Sequence, residues 1–221
     1  MESGGFPIDL ILFGMVAVFL VLRLRSILGR RQGFERSAQP PQAPLRPAGS
    51  ATTIEGKAEA AQPPARPLPD PASPLGQTLL QMQGVDRGFA AARFLSGAEQ
   101  AFGMIVTAFA AGDRRTLASL LTPPTLATFE QAITAREAEG HTQRTELRDI
   151  QAATIEAASL TGTQADITVR FVSDQVNITT DRAGQPVAGT DSVTEMVDLW
   201  TFRRDLAQPD PAWRLTAARS A

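Results

Sequence analysis

From Phe6 to Leu24 the chain is almost uninterrupted apolar sequence, broken by Asp9, and Arg23, Arg25, Arg30 and Arg31 close it. Within it Phe6, Ile8, Leu10, Ile11, Leu12 and Phe13 form one half, and Val16, Val18, Phe19, Leu20, Val21 and Leu22 the other. A helix over this stretch is roughly 28 Å long, close to the hydrocarbon thickness of a bilayer. At about 0.3–0.6 kcal/mol for each large apolar residue, membrane insertion is favoured. A cleavable leader has its positive charge before the apolar run, whereas here Glu2 precedes and the arginines follow. The pattern therefore predicts an uncleaved single-pass anchor over residues 1–31. By the positive-inside rule, a short N-terminus lies outside and everything after Arg23 is cytoplasmic, as on a bacterial inner membrane.

The next pattern has almost no aliphatic positions. Between Arg36 and Gly76 the chain runs AQPPQAPLRPAGS and then QPPARPLPDPASP, which cannot bury a core. Residues 32–75 read as a Pro/Ala-rich disordered linker with an r.m.s. span of roughly 35 Å and an extended reach of about 120 Å. The PxxP spacings at Pro41 to Pro44 and Pro64 to Pro67 suit a proline-reading module, but any such spacer contains them by chance.

Periodicity returns at residue 76. LGQTLLQMQG carries Leu75, Leu79, Leu80 and Met82 in a weakly amphipathic turn or two. Ser96 and Glu99 have the spacing of a capping box, predicting that the main helix begins there, with Phe94, Ala98, Phe102, Ile105 and Phe109 as its apolar stripe. Gly112 stops it, Asp113 caps a short helix, and Thr122-Pro123 starts a third that carries Leu126, Phe129 and Ile133 to about Glu139. The period then changes to two. Ala165, Ile167, Val169 and Phe171 alternate with Asp166, Thr168 and Arg170. Further strands are expected over 146–158 and 193–204, the latter with Met196, Trp200 and Phe202 on one face, and a last one includes Trp213, Leu215 and Ala217. Helices first and an antiparallel meander afterwards give an α+β domain over residues 76–221.

Composition narrows the chemistry. The 221 residues carry a net charge of −2, without the basic footprint of a nucleic-acid binder. Cysteine is absent and His141 is the only histidine, which removes thiolate nucleophiles and Cys- or His-rich metal sites. No nucleophile elbow, Walker loop or dinucleotide fingerprint occurs. Asp166 and Asp198 read as polar-side strand residues. No catalytic residue, cofactor or metal is therefore assigned. Arg114 and Arg115 at a helix start are candidate contacts for lipid headgroups, and Arg203 and Arg204 for an acidic lipid or a protein partner. Arg203 to Asp205 can instead form a local salt bridge. Trp200, Phe202 and Trp213, with Phe102, Ile105, Phe109, Phe129 and Phe171, either line a cavity or fill the core.

The run FLSGAEQAFGMIVTAFAAGDRRTLASLLTPPTLATFEQAITAREAEG, followed later by DLWTFRRDLAQPDPAWRL, resembles the Tim-44-like domain, named for a subunit of the mitochondrial inner-membrane protein translocase. Gly97, Ala98, Ala101, Phe102, Phe109, Gly112 and Asp113 carry the likeness in the helical half. Trp200, Phe202, Arg203, Asp205 and Trp213 carry it among the strands. The resemblance implies a cone-like fold akin to nuclear transport factor two, helices on a curved antiparallel sheet around an apolar cavity. It also implies contact of the leading helices with anionic lipid. Mitochondrial members have a long N-terminal segment that recruits the import chaperone and channel; an anchor and spacer are expected there in this chain, so import-motor function does not transfer automatically. The expected function is a membrane-anchored binding or scaffold protein contacting the bilayer and unidentified membrane-protein or chaperone partners, in membrane-protein biogenesis, translocation or quality control. Two alternatives stand beside it: a domain binding lipid or a small apolar ligand in its cavity, and an isomerase-like enzyme.

Overall fold

The computed structural model describes residues 66–221. The expected anchor, its basic flank and the linker up to residue 65 lie outside the described residues. Residues 66–73 form a strap against the domain rather than free spacer, and the expected boundary at residue 75 falls inside the first helix. The Arg66 guanidinium donates to the Glu99 carboxylate at 2.7 Å and to the carbonyls of Gln151 and Ile150.

Four helices follow the strap. Helix α1, Pro74–Val85, is capped by the Ser73 hydroxyl, which accepts from the Gly76 amide, and has proline in its first turn. Its buried positions Gly76, Leu79 and Met82 dock it on the domain. A Cβ at Gly76 would stand 2.1 Å from the Asp70 carbonyl oxygen, so only glycine lets the strap lie on the helix.

Helix α2, Ala91–Ala111, starts one and a half turns before the expected Ser96. The capping box is not formed, because Phe94 and Leu95 are buried and draw the helix back toward Ala91, while Glu99 holds Arg66. Its far end is as expected: Gly112 adopts φ 70°, a conformation costly for other residues. Asp113 then caps α3, Arg114–Leu120, through the Thr116 amide, and α4, Pro123–Ala138, begins on two prolines. Helix α2 is the one helix among the described residues long and apolar enough to cross a membrane. Its buried face, including Phe94, Ala98, Phe102 and Ile105, is occupied by the sheet.

The strands are β1 (Thr142–Thr161), β2 (Gln164–Thr180), β3 (Pro186–Asp205) and β4 (Arg214–Ser220), in the order β1-β2-β3-β4 with every neighbour antiparallel. Helices packed on an open four-stranded antiparallel sheet are the observed α+β architecture. The first three strands run well beyond their expected ends, and β1 carries three register shifts where bulges bend it. On β2, Ala165, Ile167, Val169 and Phe171 are all fully buried toward the helices. On β4 Leu215 is buried, but Ala217 is exposed rather than inward, because a shift between Leu215 and Ala217 reverses the alternation.

Candidate functional site

The eight aromatic and aliphatic side chains singled out in the sequence form one core. Phe102, Ile105, Phe171 and Phe202 are fully buried and Trp200 nearly so. Phe102 stacks on Phe171 with ring centroids 4.5 Å apart and meets Trp200 at 4.6 Å, separations at which aromatic pairs add to their burial. At one end Trp213 packs on Phe94 at 4.7 Å. At the other, half-buried Phe109 meets Phe129 edge-on at 5.1 Å, with the Arg136 guanidinium 5.3 Å from the Phe109 ring. Rings in mutual contact are packed core, not the wall of an open pocket.

Concave surface lies instead where the chain enters the domain. An apolar groove of about 190 Å³ is walled by Leu68, Pro69 and Pro71 of the strap, Leu79 and Leu80 of α1, and Phe89. Leu68 is 48% and Leu80 49% exposed. Helix α1 ends at Asp86, whose carboxylate pairs with Arg204 at 2.9 Å. That ion pair borders a second concavity of about 370 Å³, which gathers Arg203, Arg204 and Arg214 with Asp205, Asp210 and Thr122. Arg203 is held by two 2.7 Å hydrogen bonds to Asp166, which raise its pKa. Arg214 lies 3.6 Å from Asp210. Each arginine therefore has a carboxylate beside it, and this concavity is a polar surface rather than a cationic one.

Arg114 and Arg115 stand elsewhere. They follow the C-terminus of α2, whereas Arg204 is joined to the α1–α2 connection, so the length of α2, about 31 Å, lies between the two pairs. Arg114 is bound to Glu137 at 2.8 and 3.1 Å, while Arg115 is exposed. The four candidate arginines thus make two sites at opposite ends of a helix.

Sequence reasoning missed a polar network on the helix-facing side of the sheet. Arg136 donates to the carbonyls of Phe109 and Ala110 at the end of α2, and to Gln143. From Gln143 the bonds continue to Thr145 (3.3 Å), from Thr145 to Asn177 (2.6 Å), from Asn177 to Gln175 (3.1 Å) and from Gln175 to Ser173 (2.8 Å). Ser173 and Gln175 are buried, and no buried side-chain polar atom among the described residues lacks a partner.

Asp198 is a correction. It stands not on the polar side of β3 but on the helix-facing side, opposite Phe171, where burial raises its pKa against the opposing bond from Ser220 at 3.2 Å. The signal was in the sequence, since Asp198 shares its alternation with Trp200 and Phe202. Asp166 does face outward, toward Arg203. His141 pairs with Glu139 at 2.9 Å beside the α4–β1 connection. No group of three or more potential metal ligands occurs among the described residues.

Comparison with known proteins gives a family and two distant likenesses in structure. No curated protein matches the chain. Among solved structures it is similar to the intermembrane space region of the chloroplast protein ARC6, at 13% identity over 60% of this chain and 97% of that one, with a TM-score of 0.45. It is also similar to a putative dehydratase of the NTF2-like family from Streptomyces avermitilis, at 18% identity over 59% and 96%, with a TM-score of 0.35. The model of the Tim44-like domain matches residues 75–220, from the second residue of α1 to the last of β4, and the chain belongs to that family.

Proposed function

We propose that this chain is a membrane-tethered scaffold. Its N-terminal span holds the Tim44-like domain at the cytoplasmic face of a bacterial inner membrane. The strap end of the domain docks on lipid and on membrane-protein or chaperone partners, in membrane-protein biogenesis, translocation or quality control. The observation that carries this reading is the set of apolar side chains left exposed where the chain enters the domain: Leu68, Leu80 and Val85, the last 43% exposed. Arg87 and Arg93, on the connection and first turn that follow, are also exposed. Apolar side chains rimmed by arginine suit an interface that is oily at its centre and anionic at its edge. The role is one of binding rather than catalysis.

The test compares the two ends of the domain by flotation of residues 66–221 with anionic vesicles. Replacing both Leu68 and Leu80 by Asp is expected to lower vesicle binding at least about tenfold, since two half-exposed leucines lose their burial. Reversing Arg114 and Arg115 to Glu is expected to leave it unchanged. Equal binding by the leucine variant and the wild type would overturn the docking surface, and loss on reversal at 114 and 115 would move it to the other end.

A further inference from the structure

Among the described residues no helix covers the outer face of the sheet, because the helices occupy the side of Phe171 and Trp200. The register sorts that open face into rows. Asp149, Asp174 and Glu195 are direct neighbours across β1, β2 and β3. Two positions along β2 lies the row Ala152, Val172 and Val197, and two further the row Thr154, Arg170, Leu199 and Arg219.

Three carboxylates abreast are unfavourable in a sheet. Asp174 receives an amide hydrogen bond from Gln151 at 2.8 Å, and none of the three carboxylates, nor Arg170 or Arg219, makes an ion pair among the described residues. The acidic and arginine rows stand about 13 Å apart along the strands, too far to neutralise each other within one chain. Farther along the same face the chain does pair its charges, Asp166 with Arg203.

We propose that this face binds a second copy of the chain about a two-fold axis lying along the row Ala152–Val172–Val197. Such an axis reverses each strand end for end and keeps its place across the sheet. Asp174 then lies over the second copy's Arg170. Glu195 lies over the second copy's Leu199, with Arg219 alongside, and the apolar row meets itself. Every contact occurs twice, as an isologous interface requires. The three rows span only about 13 Å along the strands and about 14 Å across them, which makes the dimer weak and concentration-dependent rather than obligate.

Sedimentation velocity of the full chain in mild detergent, over a hundredfold concentration range, tests this. The wild type is expected to pass from monomer to dimer. Arg170→Asp and Asp174→Arg, each placing like charges together twice, are expected to weaken association at least tenfold. An equimolar mixture of the two variants is expected to regain it, because position 170 of one then complements position 174 of the other in both directions. A wild type that stays monomeric throughout, variants that dimerise as it does, or a mixture no better than its components would overturn the proposal. Circular dichroism melts check that the variants fold. If a reversal melts early, the neutral Arg170→Gln and Asp174→Asn replace it, with a smaller loss expected in each.

Discussion

A single strand face on β2 is buried in two chemically different ways. From Ala165 to Phe171 its helix-facing side chains are apolar, and at Ser173 and Gln175 they are polar, yet all six are buried. The first half is held by contact: Phe171 stacks on Phe102 and meets Trp200 edge-on, and removing such surface from water stabilises by about 25 cal/mol per Å². The second half gains little from being dry, because its polar groups exchange water for one another at a net gain of about 1 kcal/mol per bond. What it supplies is direction. The chain of bonds from Arg136 to Ser173 ties the end of α2, the end of α4, and strands β1 and β2 in one arrangement, whereas an apolar contact tolerates sliding.

The sharpest way to break this comparison is to delete one side chain from each half. Phe171→Ala is expected to cost about 3–5 kcal/mol, the transfer loss plus the hole left beside Phe102 and Trp200. For a domain of this size that is roughly 10 °C or more in melting temperature, and Trp200 beside the hole reports it by fluorescence. Gln175→Leu keeps the volume and removes two bonds. The Asn177 amide then lacks its acceptor, at about 1–3 kcal/mol, partly offset by the apolar gain of leucine. The expected net loss is near 1 kcal/mol, read from the urea midpoint at unchanged slope. A loss equal to that of Phe171→Ala would show that the polar half contributes stability and not only arrangement.

The apolar half was legible in the sequence because alternation announces it: Ala165 to Phe171 against Asp166 to Arg170 needs no further information. The polar half was not, since Ser173 and Gln175 look like the exposed end of a strand, and their burial rests on side-chain bonds that alternation does not announce, from Gln175 to Ser173, from Asn177 to Gln175 and from Thr145 on β1 to Asn177. Ser96 and Glu99 misled for a related reason. Their spacing is that of a cap, but the burial of Phe94 and Leu95 outweighs a local hydrogen bond, and Glu99 serves Arg66. At the candidate site, the sequence identified Arg203 and Arg204 by type but not the carboxylates that neutralise them. The Asp166 partner lies on another strand and Asp86 at the end of α1. Nor could spacing show that Arg114 and Arg204 stand at opposite ends of α2.

The smallest expected effect sharpens the boundary between the halves. Asp198 sits on that boundary, opposite Phe171 on β3 and joined to Ser220 on β4. Burial raises its pKa in the folded chain, so between the unfolded value of about 3.9 and the raised folded value the native state holds more protons than the unfolded one. Stability then falls as pH rises through that window and stays lowered above it. Asp198→Asn removes the charge and keeps an oxygen for Ser220. It is expected to raise the melting temperature at pH 7, with the gain shrinking to nothing as the pH falls below about 3.9. The outcome that would sink this account is a variant less stable than the wild type at pH 7. Asp198 would then belong to the polar half as a charge the network needs, rather than to the apolar half as one that it tolerates.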